Sequence, residues 1–187
     1  HTTYFNVYDH LFSKFRNKKI VFVEIGVLAG GSLFMWRNFF GSKARIIGID
    51  MNPNAKKWEK HGFEIFIGSQ SDKTFWKNFC KKIGKIDIVL DDGGHTYDQQ
   101  IITTEMLLEN IKDGGLLVVE DTHTSYMRGF GASKYSFINY TKNMIDRINR
   151  SLTIVVRLFP LLLLLGNLCF EIVYVVVLYE LLFACVS

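Results

Sequence analysis

Residues 86–95 constrain this chain more than any other stretch. Ile86, Ile88, Val89 and Leu90 form a short aliphatic run that stops abruptly at Asp91, Asp92, Gly93, Gly94 and His95. Such a run suits a central strand buried on both faces. Burying adjacent carboxylates without partners costs on the order of several kcal/mol, so the pair belongs at the strand's open end. The two glycines permit a tight turn that brings His95 back over the carboxylates. One strand end thus supplies candidate metal ligands and a candidate proton acceptor. Glu120 and Asp121, after Leu116, Leu117, Val118 and Val119, form a second acidic strand end that is expected to meet the first.

The remaining elements arrange themselves around these two ends. The periodicity of Tyr4, Tyr8, Leu11, Phe12 and Phe15 predicts an amphipathic helix that packs on the sheet, or covers a ligand through Tyr4 or Tyr8. Ile20–Val23 is the first strand, running into Glu24-Ile25-Gly26 and then Gly30-Gly31-Ser32. A Gly-rich turn from strand to helix is where nucleotide-like ligands approach the backbone, although such turns also serve packing alone. The spacing is not GxGxxG, so a pyrophosphate fingerprint is absent. An acid at the strand end suits a ligand with a positive amino group. Leu33–Phe40 is predicted helical and ends at Gly41. Arg45–Asp50 is a second strand ending in a carboxylate, placed to accept ribose hydroxyls or to cap the turn before Pro53; beside the Gly-rich turn the ribose reading is preferred. Phe63–Ile67 is the third strand. Gly68-Ser69-Gln70-Ser71-Asp72 offers polar groups for an adenine edge, with Ser71 or Asp72 as a cap for a helix over Lys73–Ile83. A helix around Gln99–Ile111, a turn at Asp113-Gly114-Gly115, the strand Leu116–Val119 and a helix over Tyr140–Asn149 complete the order.

Strands alternating with helices imply an α/β fold, a mostly parallel sheet with helices on both faces. In such sheets the ligand crevice lies at the strands' carboxyl ends, where every polar cluster named above falls. A chain of 187 residues suits one such domain. Its net charge of +4 comes without a basic stripe interleaved with aromatics, which argues against nucleic acid as a partner. Three scattered cysteines, free of CxxC spacing, argue for a reducing, cytoplasmic setting and against a disulfide framework or zinc site. With neither an initiating Met nor a signal peptide, the chain is expected to begin inside a longer polypeptide.

Composition divides the chain at about residue 150. Residues 151–187 carry only Arg157, Glu171 and Glu180 as charges, and include the Leu161–Leu165 run. This apolar tail, 150–187, is expected to supply closing sheet strands, for which Val175–Val177 are suited. The competing expectation is a membrane span over 158–179, long enough for the ~20 residues required, with the preceding basic residues holding domain 1–149 on the cytoplasmic side.

The ordered set Glu24-Ile25-Gly26, Gly30-Gly31-Ser32 and Trp36, Gly48-Ile49-Asp50, Gly68–Asp72, Asp91–His95 and Glu120–Tyr126 resembles one family. It is similar to the macrocin/mycinamicin-type, rhamnosyl-type sugar O-methyltransferases, which are class I, Rossmann-like, S-adenosylmethionine-dependent and metal-dependent. The resemblance covers roughly residues 1–149 and implies a seven-stranded sheet. It implies that Glu24 and Gly26 lie near the methionine part of S-adenosylmethionine, Asp50 at its ribose, and Ser69 and Gln70 near adenine. It implies Asp92, Glu120 and Asp121 as ligands of Mg2+ or a similar divalent cation, and His95 as general base. Asp91 takes no assigned role.

The chemistry agrees with these residue types. Methyl transfer from a sulfonium is an in-line displacement that gains from holding the reactants together. An imidazole of pKa ~6.5 is poorly matched to a sugar hydroxyl unless a hard cation acidifies that hydroxyl. The expected acceptor is therefore a small-molecule or glycan hydroxyl. The alternatives are a catechol-type phenolic acceptor and a membrane-tethered remnant that binds cofactor without turnover. A homo-oligomer is left open.

Overall fold

The computed structural model describes residues 2–147, 150 and 174–177. Helix α1 (Thr2–Phe12) precedes β1 (Val21–Ile25), α2 (Gly31–Phe40), β2 (Arg45–Asp50) and a 3-10 helix over Pro53–His61. Then follow β3 (Glu64–Ile67), α3 (Lys73–Ile83), β4 (Ile86–Asp91), α4 (Tyr97–Leu107) and β5 (Ile111–Val119). Positions 137–147 are helical, and β6 (Tyr174–Val177) ends the described elements. All six strands are parallel, in the order β3-β2-β1-β4-β5-β6. The chain therefore builds outward from β1 in one direction and restarts at β4 in the other. This reversal opens a crevice at the carboxyl ends of β1 and β4.

Alternation along the strands divides the core between the two faces. Phe22, Ile46, Ile88, Leu90, Leu116 and Val118 face α1 and α2, packing with Phe12, Leu33, Trp36 and Phe40. Val23, Ile47, Val89, Leu117 and Val119 face α3 and α4, packing with Trp76, Phe79, Ile83 and Leu107. Ile88 and Val89 are 0% exposed, and Leu90 is 2% exposed, so β4 is buried on both faces. Burying each such side chain contributes about 1.5–3 kcal/mol.

Capping chemistry sets several boundaries. Asp72 starts α3 by accepting from the amides of Thr74 and Phe75, and Gly41 ends α2 with φ +83°. Two segments differ from the sequence expectation. Pro53–His61 forms a 3-10 helix with the Asn52 side chain as its cap. β5 starts at Ile111, earlier than Leu116, and takes Asp113-Gly114-Gly115 into the strand. Its register jumps from Ile86↔Ile111 to Ile88↔Leu116, and Gly114 at φ +71° absorbs the irregularity.

Among the described residues no helix is long and apolar enough to cross a membrane. Within the expected 158–179 span, Tyr174–Val177 is a parallel strand beside β5. The rest of that span, and of residues 151–187, lies outside the described residues.

Candidate active site

The strand-end acids converge at the crevice. Asp92 N donates to Ile25 O (3.0 Å) and Glu120 N to Asp91 O (2.9 Å), so backbone bonds carry the sheet's register just beyond its strands and set β1, β4 and β5 ends side by side. Ligating atoms of Asp92, His95 and Asp121 lie within 4.8 Å of one another. His95 Nε2 stands 3.3 Å from Asp121 Oδ2. The Thr124 hydroxyl lies 3.0 Å from both the His95 and Asp121 carbonyl oxygens and ties the two loops together. Asp121 itself sits at φ +51°, a left-handed conformation that Asp tolerates better than most residues.

Glu120 lies outside that trio. Its side chain is 5% exposed and accepts a hydrogen bond from the Tyr8 hydroxyl of α1. Tyr4, one helical turn earlier, donates to Asp121 Oδ1 at 3.4 Å. Burial, followed by the charges of Asp92 and Asp121, pushes Glu120 up to about 8. Enclosure by protein, then the charge of Asp121, pushes Asp92 up to about 6. Burial and the negative charge of Glu120 hold the Tyr8 hydroxyl far above its ordinary value, so it remains a donor. Mutually repelling carboxylates of this kind, with an imidazole among them, form a donor set suited to a divalent cation.

A cleft of about 430 Å³ joins this cluster to the Gly-rich turn; Gly26, Leu28, Asp50, Met51, Gly68, Gln70, Asp92 and His95 are among the residues lining it. Gly26 has φ +91°, and a Cβ there would lie 2.2 Å from Asp92 O, so only glycine lets the two strand ends touch. Asp50 Oδ2 accepts from the amides of Val27 and Leu28, both at 3.0 Å, while Oδ1 takes the Asn52 amide at 2.8 Å. Asp50 thus fixes the Gly-rich turn from the neighbouring strand.

Glu24 is 2% exposed and directed toward α2, where it accepts from Ser32 Oγ and Trp36 Nε1, each at 2.9 Å. Burial raises its pKa to about 7, against those two hydrogen bonds. Gln70 lines the cleft, yet its amide nitrogen is committed to Asp91 Oδ1 (2.8 Å) and Thr103 (3.1 Å), and its oxygen to Gly94 N (2.5 Å). Ser69 does not line the cleft; its hydroxyl oxygen accepts from Ser71 N. Asp91 is 2% exposed and braces the Gly93 turn, with its Oδ2 buried and unpartnered.

Three contributors carried no assigned role in the sequence reading. Ser32 and Trp36 pin Glu24, and their i,i+4 spacing on α2 was the available signal. Gln100 donates to Glu120 O at 3.1 Å and holds the β5 end from α4; no local pattern marks it.

A family model described as a methyltransferase domain matches residues 23–122. The chain is 33% identical over 161 residues to the 8-demethyl-8-(2-methoxy-alpha-L-rhamnosyl)-tetracenomycin-C 3'-O-methyltransferase of Streptomyces olivaceus, covering 76% of this chain and 40% of that protein. It is 34% identical over 154 residues to the mycinamicin VI 2''-O-methyltransferase of Micromonospora griseorubida, covering 75% and 38%. It is also similar, with a TM-score of 0.70 and 31% identity, to the solved methyltransferase from the mycinamycin biosynthetic pathway in complex with Mg, SAH and mycinamycin VI. That match covers 75% of this chain and 39% of the other. The chain therefore spans about two fifths of the length of the curated relatives it matches.

Proposed function

We propose that this chain, which belongs to the methyltransferase-domain family and within it to the macrocin/mycinamicin type, carries a metal-dependent site that moves a methyl group from S-adenosylmethionine to a sugar hydroxyl of a glycosylated small molecule. The observation that carries the reading is one cleft lined by Gly26 and Asp50 together with Asp92 and His95. Methyl donor and acceptor hydroxyl would meet along it.

S-adenosylmethionine, when bound, supplies an electrophilic methyl, and a divalent cation, when bound, makes the acceptor hydroxyl more acidic. Gly26 lets the donor approach the backbone. Asp50 Oδ1, with one amide already on it, has a lone pair for a ribose hydroxyl. Gly26 serves the methionine part directly; Glu24, turned to Ser32 and Trp36, would frame that end by holding β1 to α2, and Ser69 and Gln70, tied to neighbouring groups, would frame the adenine end by holding its turns. Asp92 and Asp121 would hold the cation, with Glu120, just outside their cluster, as the third carboxylate. His95 would accept the proton of the acceptor hydroxyl while S-adenosylmethionine supplied the methyl, and Asp121, 3.3 Å from its Nε2, would stabilise the resulting imidazolium. Orienting both reactants in one cleft replaces a bimolecular encounter and supplies much of the acceleration.

The test is transfer of labelled methyl from S-adenosylmethionine to a rhamnosylated or macrolide-linked sugar and, separately, to a catechol. Sugar labelling that EDTA abolishes and magnesium restores is expected. His95→Ala should lower that rate by ~10²–10⁴-fold, the loss expected for a missing general base, while cofactor and metal binding persist. Turnover untouched by EDTA sinks the metal role. Metal lost in proportion to rate in His95→Ala makes His95 a ligand and moves the base elsewhere.

A further inference from the structure

Helix α1 lies more than a hundred residues before the acidic strand end in sequence, yet two of its side chains terminate on it. Tyr4 and Tyr8 are one turn apart on a single face of the helix. Their hydroxyls go to consecutive acids, Tyr4 to Asp121 and Tyr8 to Glu120. Tyr8 is itself buried, at 9% exposed, and its ring is held on several sides. It stacks on Phe12 with centroids 5.7 Å apart and meets Trp36 edge-on at 5.0 Å. The same Trp36 donates its indole N–H to Glu24. One packed aromatic group therefore touches a carboxylate at the end of β1 through Trp36, and one beyond β5 through Tyr8.

We propose that Tyr8 is a positioning residue for methyl transfer: it holds Glu120 Oε1 just outside the cluster of Asp92, His95 and Asp121, so that Oε2 is the atom left to join a divalent cation there. The proposal rests on the metal-dependent reading above. Packing alone gives no reason for a hydroxyl at this position, since a phenylalanine ring fills the same space against Phe12 and Trp36. What the hydroxyl adds is a donor to a buried carboxylate that carries like charges around it. Glutamate has a freely turning carboxyl on a flexible stem; a hydroxyl bonded to one of its oxygens removes that freedom before any ligand arrives. Partners that orient a ligating carboxylate in this way typically hold 10–100-fold of a site's metal affinity.

The experiment compares wild type, Tyr8→Phe and Phe12→Leu as the full chain, titrated calorimetrically with magnesium chloride and separately with S-adenosylhomocysteine, with thermal denaturation alongside. Tyr8→Phe is expected to fold, to bind S-adenosylhomocysteine as wild type does, and to bind magnesium about 10–100-fold more weakly. Its methyl-transfer rate should return at saturating magnesium, so the apparent constant for the metal rises while the maximal rate recovers. Phe12→Leu loosens the same packing without touching the hydroxyl; its melting temperature should fall and its magnesium affinity should not. Magnesium affinity unchanged in Tyr8→Phe overturns the proposal. So does equal weakening in Phe12→Leu, because packing would then be the cause, and so does a Tyr8→Phe chain that fails to fold, because the hydroxyl would then serve the fold. If wild type takes up no divalent cation, the metal-dependent reading itself fails, and that result is distinct from all of these.

Discussion

Asp50 is where one side chain serves two purposes. It closes the Gly-rich turn by accepting from the amides of Val27 and Leu28, and Leu28 is held there at φ +45°. A non-glycine residue in that conformation persists only where its surroundings impose it. Asp50→Ala removes both anchors along with the proposed acceptor for ribose. Each hydrogen bond to a charged group is worth about 1.5–3 kcal/mol, so S-adenosylhomocysteine affinity should fall by ~10-fold or more, and the melting temperature should fall with it. Asp50→Asn keeps a carbonyl acceptor and should lose less of both. Calorimetry on the folded variants decides, and unchanged affinity in Asp50→Ala removes Asp50 from the site.

At the scale of elements, β3 and β5 are closed in different ways. β3, at one edge, is covered by side chains of the Pro53–His61 helix: Glu59 accepts from Ile65 N and Lys56 donates to Ile65 O. The paired Lys56 and Glu59 thus stand where a neighbouring strand's backbone would, and the edge offers less to a stray strand. β5 is instead covered by β6, whose Tyr174–Val177 pairs with Leu116–Val119. Deleting 151–187 should leave β5 with unpaired backbone beside an apolar face, giving a protein that aggregates on size-exclusion chromatography. A truncated chain that is monomeric and binds S-adenosylhomocysteine would show that β6 is dispensable as a closing strand.

Across the whole molecule the acids add up to a pH dependence. Burial pushes Asp92 up to about 6, Glu24 and Asp91 to about 7, and Glu120 to about 8, from ordinary values of 3.8 for Asp and 4.5 for Glu. Between those ordinary values and about 8, the folded chain binds more protons than the unfolded one, so stability declines as pH rises through that interval. The stabilisation is fully present below about pH 4 and lost by about pH 8. In the absence of divalent metal, the melting temperature is therefore expected to fall from pH 5 to pH 8. Magnesium should raise it most at pH 8, where the carboxylates are ionised and bind the ion best. A metal-free melting temperature that climbs over this range contradicts the clustering of these acids.

The amino-acid sequence already carries the layered α/β plan. Parallel strands buried on both faces require aliphatic residues at successive positions, as in Ile88-Val89-Leu90, and that requirement is local. It also determined that Asp50, Asp91, Asp92, Glu120 and Asp121 end their strands or follow directly, because charge is costly to bury in mid-sheet. The 3-10 helix over Pro53–His61 was illegible, since Ala55 is its one fully buried residue and no apolar periodicity announces it. The early start of β5 was hidden behind Asp113-Gly114-Gly115, a stretch whose composition is that of a turn. Which acids share a neighbourhood was settled by long-range packing. His95 stands with Asp92 and Asp121, while Glu120 is claimed by Tyr8 and Glu24 by Trp36. Those pairings depend on strand register and on how α1 and α2 seat against one face of the sheet, and residues a hundred positions apart carry no local mark of it.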